Sequence, residues 1–319
     1  MQGLWLERGG LSFRQDCPKP VAAAGEALVR VRLAGICGTD LAMLQGYYPF
    51  TGIPGHEFVG TIVAAADRAR LGQRVVGDIN IACGRCSACR AARPKHCERR
   101  AVPGLKERHG AFAEYLTLPL ANLHPVPPGV PDQAAVFAEP LAAALEIPRR
   151  IAIEPDHRVL LLGAGRLGQL IAQTLAATGC RLQVAARHPR QAELLNRHGL
   201  PCLSSDAIPS RQFDIVIEAS GRPEGFVQAR RALRPGGSLV LKSTYRGEVA
   251  VDLAGLVVDE ITLIGSRCGS IPAALAAVAT GTVDPAGLID GYYPLDQGLT
   301  AFAEAARPGA LKILLAAST

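Results

Sequence analysis

The pattern of hydrophobic positions changes near residue 134. Before that point, short apolar runs are separated by polar positions and broken by glycine and proline. Runs of this kind predict strands of an irregular, mostly antiparallel β domain. They lie at Ala27–Leu33, Phe58–Ala64, Arg74–Val76 and Ala113–Leu118. After that point the chain becomes rich in alanine and leucine, which favours helices.

In the second half of the chain, buried strand patterns alternate with helical patterns. The strand patterns lie at Arg158–Leu162, Arg181–Ala186, Asp214–Ala219, Ser238–Lys242 and Ile261–Gly265. Strands that alternate with helices form a parallel, doubly wound sheet. The sequence therefore predicts an α/β protein with a β-rich domain followed by a doubly wound domain.

Length and composition exclude several classes of protein. A chain of 319 residues fits about two domains, and 49% hydrophobic with 19% charged residues is a globular composition. No apolar run is long enough for a transmembrane helix, and the N-terminus lacks a secretory signal pattern. The net charge of +6 comes from scattered basic residues, so no nucleic-acid partner is expected. We expect a cytoplasmic protein without a membrane partner.

Four of the nine cysteines lie in one short segment, at Cys83, Cys86, Cys89 and Cys97. In a cytoplasmic protein such spacing indicates a metal site. Four thiolates close a tetrahedral zinc ion with no open position, so the site would be structural. An iron–sulfur cluster is the alternative, because it also takes four thiolates.

A second candidate metal site joins Cys37 and His56. Cys37 follows the first strand pattern, and His56 precedes the apolar run that begins at Phe58. One cysteine, one histidine and one or two carboxylates make the ligand set of a catalytic zinc ion, with one position open to water or substrate.

A glycine fingerprint stands between a predicted strand and a predicted helix. Its glycines are Gly163, Gly165 and Gly168, with Arg166 and Leu167 between the last two. In this position G-x-G-x-x-G indicates a dinucleotide site. The first glycine allows the tight turn, the second lets the backbone approach the pyrophosphate, and the third permits contact between helix and strand.

The segment after the second strand of this domain bears on the choice of dinucleotide. An NAD site normally has a carboxylate there, for the ribose hydroxyl groups. This chain instead has Ala186 followed by Arg187, with Arg190 close by. A guanidinium group suits a 2′-phosphate. The sequence therefore predicts NADP(H) over NAD(H), with NAD(H) as the alternative.

These features resemble the zinc-containing medium-chain dehydrogenases/reductases, the family of alcohol, sorbitol and threonine dehydrogenases. The motifs that carry the resemblance span the chain, at Gly35–Asp40, Gly55–Gly60, Cys83–Cys97, Gly110–Tyr115, Glu139–Leu141, Gly163–Gly168, Asp214–Gly221 and Arg234–Gly237.

The resemblance implies a domain organisation. A GroES-like catalytic domain is expected over residues 1–143, with the structural zinc loop at 83–97 inside it. A Rossmann dinucleotide-binding domain is expected over 144–268. The segment 269–319 is expected to return to the catalytic domain.

The resemblance also implies roles for individual residues. Cys37, His56 and Glu139 would hold the catalytic zinc ion, and Glu57 would be a nearby carboxylate that can also bind it. Asp40 would orient His56 through the second nitrogen of the imidazole ring. The expected cofactors are thus two zinc ions per chain and a nicotinamide dinucleotide.

The implied reaction interconverts an alcohol (a secondary alcohol, a polyol or a sugar-like compound) and a carbonyl by hydride transfer. Zinc would lower the pKa of the alcohol, and Thr39 would pass the hydroxyl proton outward. Many family members carry a relay histidine where this chain has Ala42. Relatives are usually dimers or tetramers, so a homodimer or homotetramer is expected.

Two alternatives stay open at the level of sequence. The first is a reductase of activated double bonds, which would need no ligand set at Cys37, His56 and Glu139. The second is a non-catalytic relative that binds zinc and nucleotide, which the absence of the relay histidine at Ala42 would allow. Two zinc ions per chain would favour the alcohol dehydrogenase.

Overall fold

The computed structural model describes residues 1–8, 10–245 and 247–317. Its strands are β1 (Gly3–Glu7), β2 (Gly10–Arg14), β3 (Glu26–Gly35), β4 (Glu57–Ala65), β5 (Arg74–Gly77), β6 (Val102–Pro103), β7 (Glu107–Arg108), β8 (Tyr115–Pro119), β9 (Leu123–Pro125), β10 (Arg158–Leu162), β11 (Arg181–Ala186), β12 (Cys202–Ser204), β13 (Phe213–Glu218), β14 (Leu233–Leu241), β15 (Thr262–Gly265), β16 (Ile289–Pro294) and β17 (Lys312–Ala316).

Its helices are α1 (Gly38–Leu44), α2 (Ser87–Arg90), α3 (Asp132–Ala135), α4 (Ala138–Leu145), α5 (Ile147–Arg150), α6 (Arg166–Ala176), α7 (Pro189–Arg197), α8 (Pro223–Ala232), α9 (Leu253–Val258), α10 (Ile271–Ala279) and α11 (Gly298–Ala305). Not one of the helices in these ranges has the length and apolar character needed to span a membrane.

The chain divides into two compact units. The first contains Met1–Glu139, Ile271–Ala279 and the segment from Ile289 onward, and the second contains Pro140–Ser270 and Thr280–Leu288. The sequence prediction assigned all of 269–319 to the first domain. The structure places 280–288 in the second unit instead.

Two hydrogen bonds explain the position of that short segment. The Gln173 side chain on α6 donates to the Asp284 carbonyl oxygen at 3.1 Å and accepts from the Asp284 N–H at 2.8 Å. Gln173 is buried, so its amide needs polar partners. The segment around Asp284 provides them, and it is thereby held in the second unit.

The first unit is built on a seven-stranded sheet in the order β16-β17-β3-β4-β5-β9, with β8 also paired to β3. The pairs of β3 are antiparallel, whereas β16 and β17 run parallel. β17 comes from the C-terminus and β3 from the N-terminal region, so both ends of the chain build this sheet. Alternating side chains of β3 enter a core that contains Phe112 and Phe302, whose rings meet edge to face at 5.6 Å.

The second unit contains a six-stranded parallel sheet in the order β12-β11-β10-β13-β14-β15. Its central strand β10 carries Val159, Leu160 and Leu161, which are fully buried, as expected for a strand covered on both faces. The predicted doubly wound sheet is confirmed. The strand order reverses between β10 and β13, and this is the place where such sheets bind dinucleotides.

Candidate active site and cofactor site

The turn from β3 into α1 positions Cys37. Cys37 is the N-cap of α1, and its backbone N–H donates to the Asp40 carboxylate at 2.8 Å. The Cys37 side chain faces the Asp40 backbone in return, so the two residues form a capping box. The Thr39 hydroxyl oxygen lies 3.7 Å from the Cys37 Sγ. The first turn of the helix therefore fixes the thiol and sets a hydroxyl group beside it.

Asp40 also faces His56, and both side chains are buried. His56 Nδ1 lies 3.3 Å from an Asp40 carboxylate oxygen, and neither atom makes an aligned hydrogen bond within the described part of the chain. Burial disfavours a charged imidazole, but Asp40 and Cys37 outweigh it and hold the pKa of His56 well above its ordinary value. With Nδ1 directed at Asp40, Nε2 is the nitrogen presented to a metal ion.

The structure brings Cys37, His56 and Glu57 together. Each offers one ligand atom, and these atoms lie within 4.8 Å of one another. Sulfur, imidazole nitrogen and carboxylate oxygen form a donor set that suits catalytic zinc, so these residues fit the ion predicted from the sequence. Glu139 lies in the first turn of α4 and is outside this group.

Glu57 has a partner that the sequence analysis missed. The Lys312 ammonium group on β17 donates to the Glu57 carboxylate, and both side chains are at most 2% exposed. The same ammonium group lies 3.4 Å from the Ile36 carbonyl oxygen. The signal was present in the sequence, since a lysine inside an otherwise apolar strand needs a buried partner.

Gly35 makes room for this ion pair. A Cβ atom at Gly35 would lie 2.5 Å from a Glu57 carboxylate oxygen and 3.3 Å from the Lys312 side chain. Gly35 is opposite Glu57 in the pairing of β3 with β4, and opposite Leu314 in the pairing of β3 with β17. The absence of a side chain at this one position lets the carboxylate and the ammonium group meet across β3.

The four cysteines of the 83–97 loop also converge, with all four sulfur atoms within 4.8 Å of one another. Cys86 Sγ lies 3.4 Å from Cys89 Sγ and 3.8 Å from Cys97 Sγ. Tetrahedral zinc with bonds of ~2.3 Å requires sulfur separations of about 3.8 Å. The cluster of four sulfur atoms therefore fits a structural zinc ion.

Electrostatics in this loop favour a bound cation. Backbone N–H groups, that of Arg85 first, lower the pKa of the Cys83 thiol to about 6. Burial, followed by the neighbouring Cys86 and Cys97, raises the pKa of Cys89 to about 12. Thiols so close together cannot all ionise without a positive charge among them. A metal ion would supply that charge.

In the second unit, the glycine fingerprint leads from β10 into α6. Gly163 has φ of 100°, and a Cβ there would lie 2.6 Å from the Ala219 carbonyl oxygen. A Cβ at Gly168 would lie 2.0 Å from the Gly163 carbonyl oxygen, so both positions exclude a side chain. Around Gly165, the N-cap of α6, a Cβ would meet nothing within 4 Å. This open space at a helix N-terminus fits a pyrophosphate group.

The other predicted cofactor residues lie on the elements beside this loop. Arg166 and Leu167 form the first turn of α6 and are partly buried. Arg187 is exposed just after β11, and Arg190 is exposed in the first turn of α7. Ala186, the last residue of β11, is nearly buried.

Comparison with known proteins places the two units in characterised domain families. The family model of the alcohol dehydrogenase GroES-like domain matches residues 23–128, and that of the zinc-binding dehydrogenase matches residues 167–280. Fold and site thus define a dehydrogenase of the zinc-dependent alcohol dehydrogenase type.

Similarity to a relative and to solved structures extends over most of the chain. The L-galactonate-5-dehydrogenase of Escherichia coli K12 is 34% identical over 78% of this chain and 77% of its own. A putative zinc-binding dehydrogenase of Sinorhizobium meliloti 1021, bound to NADP, has a TM-score of 0.91 at 28% identity, over 99% of this chain and 98% of its own. An alcohol dehydrogenase (RspB) of E. coli CFT073, complexed with NADH, has a TM-score of 0.88 at 27% identity and covers 99% of both chains.

The chain belongs to the zinc-type medium-chain dehydrogenases/reductases. The predicted family and the predicted reaction type are confirmed: the protein is a zinc-dependent, NAD(P)-linked oxidoreductase that interconverts an alcohol and a carbonyl.

The ion pair of Glu57 with Lys312 leads to a prediction. Replacement of Lys312 by Met leaves a buried, unpaired carboxylate at Glu57, so we expect a loss of about 3–5 kcal/mol in the free energy of unfolding. Urea denaturation measures it. The double variant K312M/E57Q removes both charges and should regain more than half of the loss. A loss below about 1 kcal/mol for K312M, the range of exposed ion pairs, would contradict the buried pair.

Proposed function

We propose that the protein oxidises a secondary hydroxyl group of a polyol or a sugar-derived acid, and catalyses the reverse reduction. The observation that carries this proposal is the group of half-buried Cys37 with buried His56 and Glu57, which fits a catalytic zinc ion. The substrate class is supported by the relative named L-galactonate-5-dehydrogenase.

In this proposal the metal ligands are Cys37, His56 and Glu139, with Glu57 as an additional carboxylate. A zinc ion bound there lowers the pKa of an alcohol hydroxyl group and polarises a carbonyl. Asp40 holds the His56 ring with Nε2 directed to the metal. The cofactor site at the fingerprint would hold the dinucleotide that accepts the hydride.

Thr39 would carry the hydroxyl proton away from the substrate. Its hydroxyl group lies beside the Cys37 thiol and is only partly buried. Ala42 replaces the relay histidine, and its carbonyl oxygen accepts the Tyr47 N–H at 3.1 Å. The methyl side chain of Ala42 has no group that could relay a proton. We propose that the proton passes from Thr39 directly to water.

We propose two zinc ions per chain and a preference for NADP(H). The second zinc ion would lie among Cys83, Cys86, Cys89 and Cys97. The preference is supported by the exposed guanidinium group of Arg187 after β11, where no carboxylate stands. Arg190 would assist it.

We also propose a homodimer or a dimer of dimers. β15 is the outermost strand of the parallel sheet, and its outer edge pairs with no other strand in the described ranges. Large apolar side chains are exposed beside it: Val257 is 76%, Val258 81% and Leu253 70% exposed. An apolar strip next to an open strand edge suits a sheet that continues into a second copy of the chain.

A cytoplasmic location is part of the proposal. Cys17, Cys180 and Cys202 are free thiols in the structure, and free thiols suit a reducing compartment. The proposed metal sites also need reduced cysteines.

The proposed reaction is tested with zinc-replete protein. We expect NADP⁺-dependent oxidation of polyols or sugar acids, two zinc ions per chain by elemental analysis, and one zinc ion with no turnover in C37S. Cys180→Ser serves as the control, because Cys180 lies on the other unit. A protein that reduces activated double bonds instead, or that binds cofactor and zinc without turnover on any alcohol, would contradict the proposal.

The cofactor preference is tested at Arg187. In R187A we expect kcat/KM for NADP⁺ to fall about 10- to 100-fold, because charge-assisted hydrogen bonds to the 2′-phosphate are lost. The value for NAD⁺ should stay within about twofold. R181A is the matched control, since Arg181 is exposed at the opposite end of β11. Equal losses with both cofactors would rule out selection by Arg187.

The proposed interface is tested by placing charges on it. The double variant V257D/V258D should be a monomer, with a mass of 33.5 kDa in light scattering. Association is opposed because it would bury two carboxylates. Val227→Asp is the control, since Val227 is also exposed but lies on α8. An unaltered mass in the double variant would place the interface elsewhere.

A further inference from the structure

A buried glutamine joins the two segments that face the dinucleotide. Gln169 on α6 is 0% exposed, and its amide nitrogen donates twice. One hydrogen bond goes to the Ala164 carbonyl oxygen at 3.0 Å, and the other to the Gln191 carbonyl oxygen at 2.9 Å. Ala164 belongs to the fingerprint loop, and Gln191 belongs to the first turn of α7.

These two acceptors belong to the two segments that are proposed to face the cofactor. The fingerprint loop carries Gly165, where the open space fits the pyrophosphate. The first turn of α7 begins two residues after Arg187 and contains Arg190, and these two arginines are proposed to face the adenosine ribose and its phosphate. A bound dinucleotide has to reach both segments at once, so the spacing between them sets how well it fits.

The two hydrogen bonds that the amide nitrogen donates fix the orientation of the Gln169 side-chain amide. Both partners are carbonyl oxygens, so the amide oxygen could not take the place of the nitrogen. That oxygen has no hydrogen-bond partner among the residues that the structure describes. The amide nitrogen thus bridges two segments, while the amide oxygen is left unsatisfied. Burying an unsatisfied polar atom costs free energy, so an apolar residue would be more stable here if packing were the only role of the side chain.

We infer that Gln169 is a positioning residue for the dinucleotide: it sets the distance between the pyrophosphate loop and the adenosine-facing segment. This inference rests on the proposed cofactor site. A backbone bond from the Gly163 N–H to the Ala185 carbonyl oxygen, at 3.1 Å, joins the same regions at the strand ends. Gln169 extends the connection to the first turn of α7, which backbone pairing does not reach.

The test uses Q169M and measures the binding of ADP-ribose, which spans both segments and lacks the 2′-phosphate. We expect its dissociation constant to rise about 5- to 10-fold, as for the loss of a hydrogen bond that holds one side of a site. The KM for the dinucleotide should rise by a similar factor, and kcat should change by less than about twofold, because Gln169 has no part in the reaction of the substrate.

Q173M is the matched control. Gln173 lies one turn further along α6, is also buried, and also makes two hydrogen bonds, but to Asp284. We expect Q173M to lower the melting temperature without changing the affinity for ADP-ribose. If Q169M does not fold, Q169N and Q173N make the same comparison, because asparagine is too short to bridge the two carbonyl groups.

The outcomes separate this inference from the proposed function. Unchanged ADP-ribose affinity in Q169M, or equal losses in Q169M and Q173M, would overturn the positioning role and leave the cofactor site standing. If the protein without substitutions bound neither ADP-ribose nor 2′-phospho-ADP-ribose, the cofactor site and the positioning role would be overturned together. A preference for NAD⁺ over NADP⁺ would affect neither.

Discussion

The buried ion pair between Glu57 and Lys312 is the interaction on which the arrangement of the candidate metal ligands depends. Either charge alone in the core would be strongly destabilising, so the two have to be buried together. This requirement ties β17, β3 and β4 into one register, with Gly35 opposite Glu57. His56 directly precedes Glu57, and Cys37 follows β3. The same register therefore sets the separation of these two residues, and it brings the C-terminal strand to the site.

The four-cysteine loop is subject to a different constraint. Its buried interior consists of Cys86, Cys97 and Ala88, with three more small side chains around them. Such an interior offers little apolar surface, so hydrophobic burial contributes little to holding the loop. Under the proposal, the loop would depend on the zinc ion held by its sulfur atoms, whereas the sheet beside it depends on its own core. With the proposed structural zinc ion, metal binding and folding would be coupled in the loop and separable in the sheet.

Features with local causes were predictable from the sequence. Strand patterns, the glycine fingerprint and the cysteine spacing all lie within short segments, and the doubly wound sheet follows from their order. Lys312 was missed because its partner lies 255 residues away. The position of segment 280–288 was missed because it depends on Gln173 of α6, a buried amide whose partner no local pattern identifies. Such contacts follow from the three-dimensional packing, which periodicity does not encode.

Lys312 and Gln169 share a property that explains why such residues matter. At Gly163, Gly165 and Gly168 the proposed cofactor site consists of backbone, which offers no side chain that could be varied to adjust the fit. At the metal site, the ligand types are dictated by the chemistry of zinc. The fit of either site can therefore be adjusted only through residues that lie behind the glycines and the ligands. A polar group buried there must find partners, and in doing so it fixes the separation of the segments that carry those partners.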